Sequence, residues 1–122
     1  MRFEIAGETP AKKNSRVTNT NTGRTFPNPK YTKWHDMAQL QVYDQKRRYD
    51  CLPVTEACRL SITFVHGDLR RRDSDNAATS ILDLLKDCGV LHDDNWQVVR
   101  ELHVYNAFDK KKPCAYVEIE GL

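Results

Sequence analysis

The chain has 122 residues, a length typical of a single domain with a modest hydrophobic core. Its formal net charge is only +2, so no global basic field marks it as a nucleic-acid-binding protein, and no apolar run approaches the length that spans a membrane. Its four cysteines include no Cys-x-x-Cys pair, which favours reduced thiols over disulfides or zinc. We expect no leader ahead of the first strand-like residues, and therefore a cytoplasmic protein whose single domain spans residues 1–122.

The first half of the chain predicts two strands separated by a helix. Residues 2–6 alternate between apolar and polar side chains as a short strand. Residues 7–30 are rich in Thr, Asn, Gly, Pro and Lys without an apolar period, which predicts a long basic loop that is functional or flexible. A helical pattern follows with Thr32 as its candidate N-cap, and residues 58–66 alternate so strictly that they form the clearest strand.

The second half of the chain predicts one helix and two strands. Asp75 is the candidate N-cap of an amphipathic helix that ends before Gly89. Residues 97–106 and 114–119 then show strand patterns, and the short polar segment between them indicates a hairpin. The resulting order, β-α-β-α-β-β, predicts a small α+β domain in which two helices pack on one mixed sheet of about four strands.

Basic side chains are concentrated in a few segments despite the small net charge. These residues are Lys12, Lys13, Arg16 and Arg24 in the predicted loop, and Arg70, Arg71 and Arg72 ahead of the second helix. A local basic patch can bind phosphate even when the net charge is small, and arginines can do so bidentately. The alternative is that these side chains only solvate the surface or neutralise nearby carboxylates.

Two acidic pairs flank the second helix. Asp73 and Asp75 precede it, and Asp93 and Asp94 follow it. Because the helix only has to fold back on its neighbouring strands, we expect the two pairs to meet in space. Carboxylates held close together repel one another unless a cation lies between them, and an oxygen-only ligand set selects hard ions such as Mg²⁺ or Mn²⁺. Taken singly, each acid also has an ordinary explanation as a cap, a turn residue or an arginine partner.

A divalent cation in such a site would suit phosphodiester hydrolysis. The cation polarises the phosphoryl oxygen and lowers the pKa of its bound water. We therefore interpret the acids as holding a metal ion against a nucleic-acid backbone. A hydrolase of small phosphorylated substrates is the competing enzymatic interpretation, and the absence of a Gly-rich phosphate cradle in the sequence argues against it.

At these residues the sequence resembles the RusA family of Holliday-junction resolvases. Members carry an Arg-rich stretch ending in Asp-x-Asp-Asn, a helix, and then Asp-Asp before a Gln-Val-Val strand. The matching residues here run from Arg70 to Asn76, then Asp93-Asp94, then Gln97-Val98-Val99. The segment from Gly7 to Arg16 is also similar to the Pro- and Asn-containing basic loop of the family.

The resemblance implies a homodimeric, Mg²⁺-dependent endonuclease, in which Mn²⁺ can substitute. It would nick two opposed strands of a four-way DNA junction during recombination and repair, in a bacterial or phage-infected cell. By position, Asp73, Asp75 and Asp94 would be the catalytic metal ligands, with Asp93 as a further ligand.

Two departures from the family pattern bear on this expectation. Members often carry a lysine where this chain has Thr79, so Arg71, Arg72 or Lys86 would have to supply that charge. The alternative is a junction-binding protein whose catalysis is weakened or lost. The chain also has one more residue than expected between Asp94 and Gln97, which leaves open whether Asp93 or Asp94 is the principal ligand.

Overall fold

A computed structural model describes residues 1–12 and 16–122 of the chain and confirms the predicted α+β architecture, with two helices and a mixed four-stranded sheet. The elements in chain order are β1 (Arg2–Ala6), β2 (Arg16–Thr18), β3 (Thr25–Pro27), α1 (Pro29–Lys46), β4 (Cys58–His66), α2 (Ser74–Asp87), β5 (Val99–Phe108) and β6 (Cys114–Gly121). Neither helix, within the part of the chain that the structure describes, is long and apolar enough to cross a membrane.

The main sheet has the strand order β1-β6-β4-β5. Strand β4 pairs in parallel with β5 on one side and antiparallel with β6 on the other, and β6 pairs antiparallel with β1. The alternating apolar residues of β4, namely Cys58, Leu60, Ile62 and Phe64, are almost fully buried beneath the helices. Helix α2 buries Ile81, Leu84 and Leu85 against them, so burial of apolar surface holds this helix on the sheet.

The predicted hairpin between the last two strands is wrong. Strands β5 and β6 are not neighbours, because β4 lies between them. The connection from β4 to β5 passes through helix α2, and a helical crossover delivers a strand parallel to the one that precedes it. Strand β5 therefore occupies one edge of β4, and β6 takes the remaining position between β4 and β1.

The predicted loop at residues 7–30 contains secondary structure. Strands β2 and β3 form a small antiparallel hairpin, closed by a turn in which Gly23 has a φ of +70°. Helix α1 also begins four residues earlier than predicted, because its N-cap is Asn28 and not Thr32. The side chain of Asn28 accepts a hydrogen bond from the backbone N–H of Lys30 at 3.0 Å, and Pro29 starts the helix, as proline does readily at a first helical position.

Helix α2 begins at Ser74, with Asp73 rather than Asp75 as its N-cap residue. At its other end, Gly89 has a φ of +72°, which glycine adopts without steric cost, so the predicted helix terminus is confirmed. The next strand runs over Val99–Phe108, two residues later than predicted at each end, because residues 93–98 form a turn.

Side chains of α1, and of Tyr49 just after it, cover the outer edge of β1. Gln45 accepts a hydrogen bond from the N–H of Glu4 at 2.7 Å and donates one to its carbonyl oxygen at 2.6 Å. Gln41 accepts from the N–H of Ala6, and the Tyr49 hydroxyl bonds both backbone groups of Arg2. These side chains take the place of a neighbouring strand, so the other edge, β5, is the open edge of the main sheet.

Candidate active site

The first acidic pair lies at the N-terminus of helix α2. Asp73 has an extended backbone conformation and Asp75 lies in the first helical turn, with both side chains exposed. Negative charge is favourable here because the helix dipole is positive at this end. Thr79, at the position of the family lysine, donates its hydroxyl hydrogen to the Asp75 carbonyl oxygen at 2.9 Å. It therefore offers the site a hydroxyl that is already bonded to the helix backbone.

The second acidic pair forms a tight turn ahead of β5. Asp93 Oδ1 accepts a hydrogen bond from the backbone N–H of Asp94 at 2.7 Å, and Asp93 Oδ2 accepts one from the Asn95 amide at 3.2 Å. These hydrogen bonds, the backbone one first, hold the pKa of Asp93 below its usual value. Asp94 is differently placed, because its Oδ1 atom lies 3.8 Å from Lys86 Nζ.

The two acidic pairs lie at opposite ends of α2. The helix has 14 residues, which corresponds to about 21 Å. Asp73 and Asp75 are at its start, where the Ser74 hydroxyl accepts a hydrogen bond from Asn106 near the end of β5. Asp94 contacts Lys86, one residue before the helix ends. Strand β5 runs antiparallel to α2 and therefore begins at the C-terminal end of the helix. Asp93 and Asp94, which precede β5, lie at that end.

The expectation that all four acids meet is consequently not met within a single chain. Among residues 1–12 and 16–122, no group of three or more His, Cys, Asp or Glu side chains is arranged to hold a metal ion. Each pair alone supplies two carboxylates, and Mg²⁺ is commonly held by one or two carboxylates together with waters and substrate phosphates. Ligands from both ends of α2 would have to come from two chains.

The three arginines before α2 have different environments. Arg72 Nη2 lies 2.8 Å from Asp68 Oδ1 and 3.2 Å from Glu8 Oε1, and its side chain is 23% exposed. Arg70 is 84% exposed and only 3.8 Å from Asp68 Oδ2. Backbone N–H donation from Arg70, followed by the Arg72 contact, holds the pKa of Asp68 below its usual value. Arg72 thus anchors the segment, whereas Arg70 remains open to solvent.

Arg71 lines a cavity of about 350 Å³ next to Asp73. The cavity lies between residues 8–11 and the starts of both helices, and its lining also includes Lys30 and Asn76. Its charged lining comprises three cations, Lys30, Arg71 and Arg72, and two carboxylates, Glu8 and Asp73. Since Glu8 pairs with Arg72, the other cations at this helix N-terminus form a surface that suits a phosphate group.

The other predicted DNA-binding residues are more dispersed. Lys12 Nζ contacts Asp83 Oδ2 at 2.7 Å, and this hydrogen bond raises the pKa of Lys12. Arg16 and Arg24 are exposed on the β2–β3 hairpin. Lys13 lies outside the described residues, and Lys86 contacts Asp94 at the far end of α2.

The sequence did not single out Glu8, His66 or Asn106, which connect to the start of α2. His66 lies between Glu8 and Asn106, and Asn106 donates a hydrogen bond to Ser74. The sequence did carry one indication of these residues, because His66 ends the clearest predicted strand just before the acidic motif.

Comparison with known proteins agrees with this architecture. A family model described as Endodeoxyribonuclease RusA matches residues 7–120. The protein is therefore an endodeoxyribonuclease, an enzyme that hydrolyses phosphodiester bonds in DNA. The chain belongs to the RusA family. It is also similar to the crossover junction endodeoxyribonuclease RusA of Aquifex aeolicus (strain VF5), with 24% identity over 110 residues that cover 90% of this chain and 83% of that protein.

Proposed function

We propose that this protein is a homodimeric, Mg²⁺-dependent endonuclease that resolves four-way DNA junctions by paired symmetrical nicks, in recombination and repair. The family and the name of the Aquifex relative support a branched DNA substrate. Mn²⁺ would substitute for Mg²⁺, since both prefer carboxylate oxygen ligands. The site of action would be the cytoplasm of a bacterial or phage-infected cell.

The separation of the acids along α2 is the observation that carries this proposal. In a two-fold symmetric dimer, each surface contacts the same surface of its partner in reversed orientation. Two α2 helices packed in this way would bring Asp73 and Asp75 of one protomer beside Asp94 of the other, and would do so twice. A four-way junction has approximate two-fold symmetry, so the two composite sites would match its two opposed strands.

The open edge of the sheet supports association on the α2 side. Strand β5 carries three exposed apolar side chains, with Leu102 at 44%, Tyr105 at 55% and Phe108 at 52% exposure. Leu102 aligns with buried Leu60 of β4, and Phe108 with His66, so both project from the face of the sheet that the helices cover, whereas Tyr105 aligns with Thr63 and projects from the opposite face. Exposed apolar residues on an unpaired edge strand are typical of an association surface.

In this dimer, Asp73 and Asp75 would hold the metal together with Asp94. Asp94 is the better candidate for principal ligand of its pair, because both carboxylate oxygens of Asp93 already accept hydrogen bonds within the turn. A bound dication would polarise the phosphoryl oxygen and supply hydroxide near neutral pH. The exposed guanidinium groups of Arg70 and Arg71 would orient the phosphate, while Arg72 fixes the loop that carries them.

A mixed-dimer experiment tests the composite site. Asp73→Asn and Asp94→Asn proteins with different tags are each expected to bind a synthetic junction without cutting it. When the two are co-expressed, a heterodimer contains one site with both substitutions and one intact site. Random pairing makes about half of the dimers heterodimers, so the mixture should recover about a quarter of the wild-type sites and give single nicks.

The outcomes separate the parts of the proposal. If mixed dimers form and bind junctions but stay inactive, each working site must take both acidic pairs from a single chain. If light scattering finds only monomer in protein that is fully active, the proposed dimer is wrong. Wild-type protein that binds junctions in a salt-sensitive way but makes no nicks with Mg²⁺ or Mn²⁺ would favour the binding protein without catalysis, which Thr79 motivates.

A further inference from the structure

We propose that Glu8, His66 and Asn106 are positioning residues for the Asp73 and Asp75 carboxylates, and that they act through the Ser74 hydroxyl. This inference rests on the proposed function, because it takes the two acids as metal ligands. It assigns a role to three polar residues from separate parts of the chain that converge on the start of α2.

The hydrogen bonds form a continuous path. His66 Nδ1 lies 2.7 Å from Glu8 Oε2, and His66 Nε2 lies 2.8 Å from Asn106 Oδ1. The Asn106 amide donates to Ser74 Oγ at 3.0 Å. Ser74 is the residue between the two acids, so the hydrogen bond to its hydroxyl connects the sheet directly to the acidic motif.

The path is anchored at its other end. Glu8 Oε1 lies 3.2 Å from Arg72 Nη2 and accepts a hydrogen bond from the N–H of Gly67 at 3.3 Å. Glu8 therefore ties the end of β4 to the arginine that precedes Asp73. The segment carrying the acids is held from both sides, by Arg72 before Asp73 and by Ser74 after it.

The environment of His66 makes this arrangement stiff. Its side chain is only 16% exposed and its ring stacks on Phe64 with centroids 6.3 Å apart. The backbone N–H of Asp109 donates to its carbonyl oxygen at 2.9 Å. A half-buried imidazole with a partner on each ring nitrogen has few alternative rotamers, so it can transmit a fixed position to Asn106.

The chemistry of the partners explains why a histidine and an asparagine are suitable. The Glu8 carboxylate and the Asn106 amide oxygen only accept hydrogen bonds, so both ring nitrogens of His66 must donate, which requires a hydrogen on each. The Asn106 amide oxygen thus accepts from His66 while its nitrogen donates to Ser74 Oγ, so it bonds both residues at once. Hydrogen bonds of this kind behind metal ligands fix ligand orientation, and their loss typically costs 10- to 100-fold in metal affinity or activity.

The test compares single-turnover cleavage of a synthetic junction by Ser74→Ala, Asn106→Leu and the double variant, with Mg²⁺ at a fixed concentration. Each single substitution should lower the cleavage rate about 10- to 100-fold, with junction Kd changed less than about twofold. Because both residues belong to one path, the double variant should cut about as slowly as the slower single variant. Ser74→Thr keeps the hydroxyl and should recover most of the rate lost in Ser74→Ala.

A matched histidine control separates positioning from general damage. His35, on α1, also contacts a carboxylate, with Nε2 2.9 Å from Asp87 Oδ2, and its side chain is 17% exposed, close to the value for His66. His66→Ala should lower the cleavage rate with junction binding retained, whereas His35→Ala should cut like wild type. The inference is overturned if wild type nicks junctions and the Ser74 and Asn106 variants nick as fast as wild type. It is also overturned if the rate losses of the two single variants multiply in the double variant. Wild-type protein that does not nick would instead count against the proposed function.

Discussion

The ammonium group of Lys86 lies 3.8 Å from Asp94 Oδ1, at the end of α2 that is farthest from Asp73. The two side chains are 39% and 37% exposed, and exposed ion pairs contribute at most about 1 kcal/mol to folding. The pair therefore matters less for stability than for the electrostatics of a proposed metal ligand. Lys86 supplies the positive charge beside the Asp94 carboxylate, where the proposed metal ion would also bind.

Replacing Lys86 with Gln is expected to tighten Mn²⁺ binding about three- to tenfold, because a positive charge close to a bound dication repels it. Isothermal titration of Mn²⁺ into the protein measures the effect directly. Lys110→Gln, which removes a charge from the loop between β5 and β6, serves as the control for net charge. Weaker or unchanged Mn²⁺ binding in Lys86→Gln would contradict a metal at Asp94.

Arg71 and Arg72 should behave differently although they are neighbours. Arg71→Gln is expected to weaken junction binding and to reduce the slope of log Kd against log salt by about 1, as loss of one phosphate contact does. Its thermal stability should stay close to wild type.

Arg72→Gln breaks contacts with Asp68 and Glu8, so it should lower the free energy of unfolding by about 1 kcal/mol. Salt-dependent binding assays and thermal melts on both proteins distinguish the two roles. An Arg72 variant with full stability and a reduced salt slope would show that this arginine binds DNA instead.

Local features of the fold were predictable from sequence, because local chemistry determines them. Residues 58–66 alternate strictly, and the structure has β4 at those positions. Gly89 ends α2 because only glycine takes its backbone conformation without strain. The start of α1 was also readable in retrospect, since Asn28 and Pro29 form a cap and first-turn pair.

Relationships between elements were not predictable in the same way. Periodicity does not say which strand lies next to which, and the polar segment before Cys114 looks like a hairpin loop although its strands are separated by β4. Equally, the spacing of Asp75 and Asp94 cannot show that they lie at opposite ends of one helix. That fact depends on the antiparallel course of β5 along α2, which tertiary packing decides.

Gln45 is expected to be essential to the edge of β1. Gln45→Ala leaves both backbone groups of Glu4 without the partners they have at 2.7 and 2.6 Å. Loss of partners for part-buried backbone groups should lower the free energy of unfolding by about 1–3 kcal/mol. Urea unfolding measures this, with Gln39→Ala on the same helix as the control for helix propensity. Equal stability of the two variants would mean that water replaces the side chain at no cost.

Asp68 should make the stability of the protein depend on acid pH. Hydrogen bonds from Arg70 and then Arg72 hold its pKa below the usual 3.8. The stabilisation is therefore complete above that usual value and is lost as the pH falls through the lowered pKa in the folded protein.

In Asp68→Asn this contribution is absent at every pH. Wild type should melt at a higher temperature than the variant at pH 7, and the difference should shrink as the pH falls below about 4. Melting curves of both proteins at several pH values provide the measurement, with Asp44→Asn on the exposed face of α1 as the control. A difference that is constant across this range would mean that Asp68 stabilises the segment through hydrogen-bond geometry that the asparagine lacks, and not through its charge.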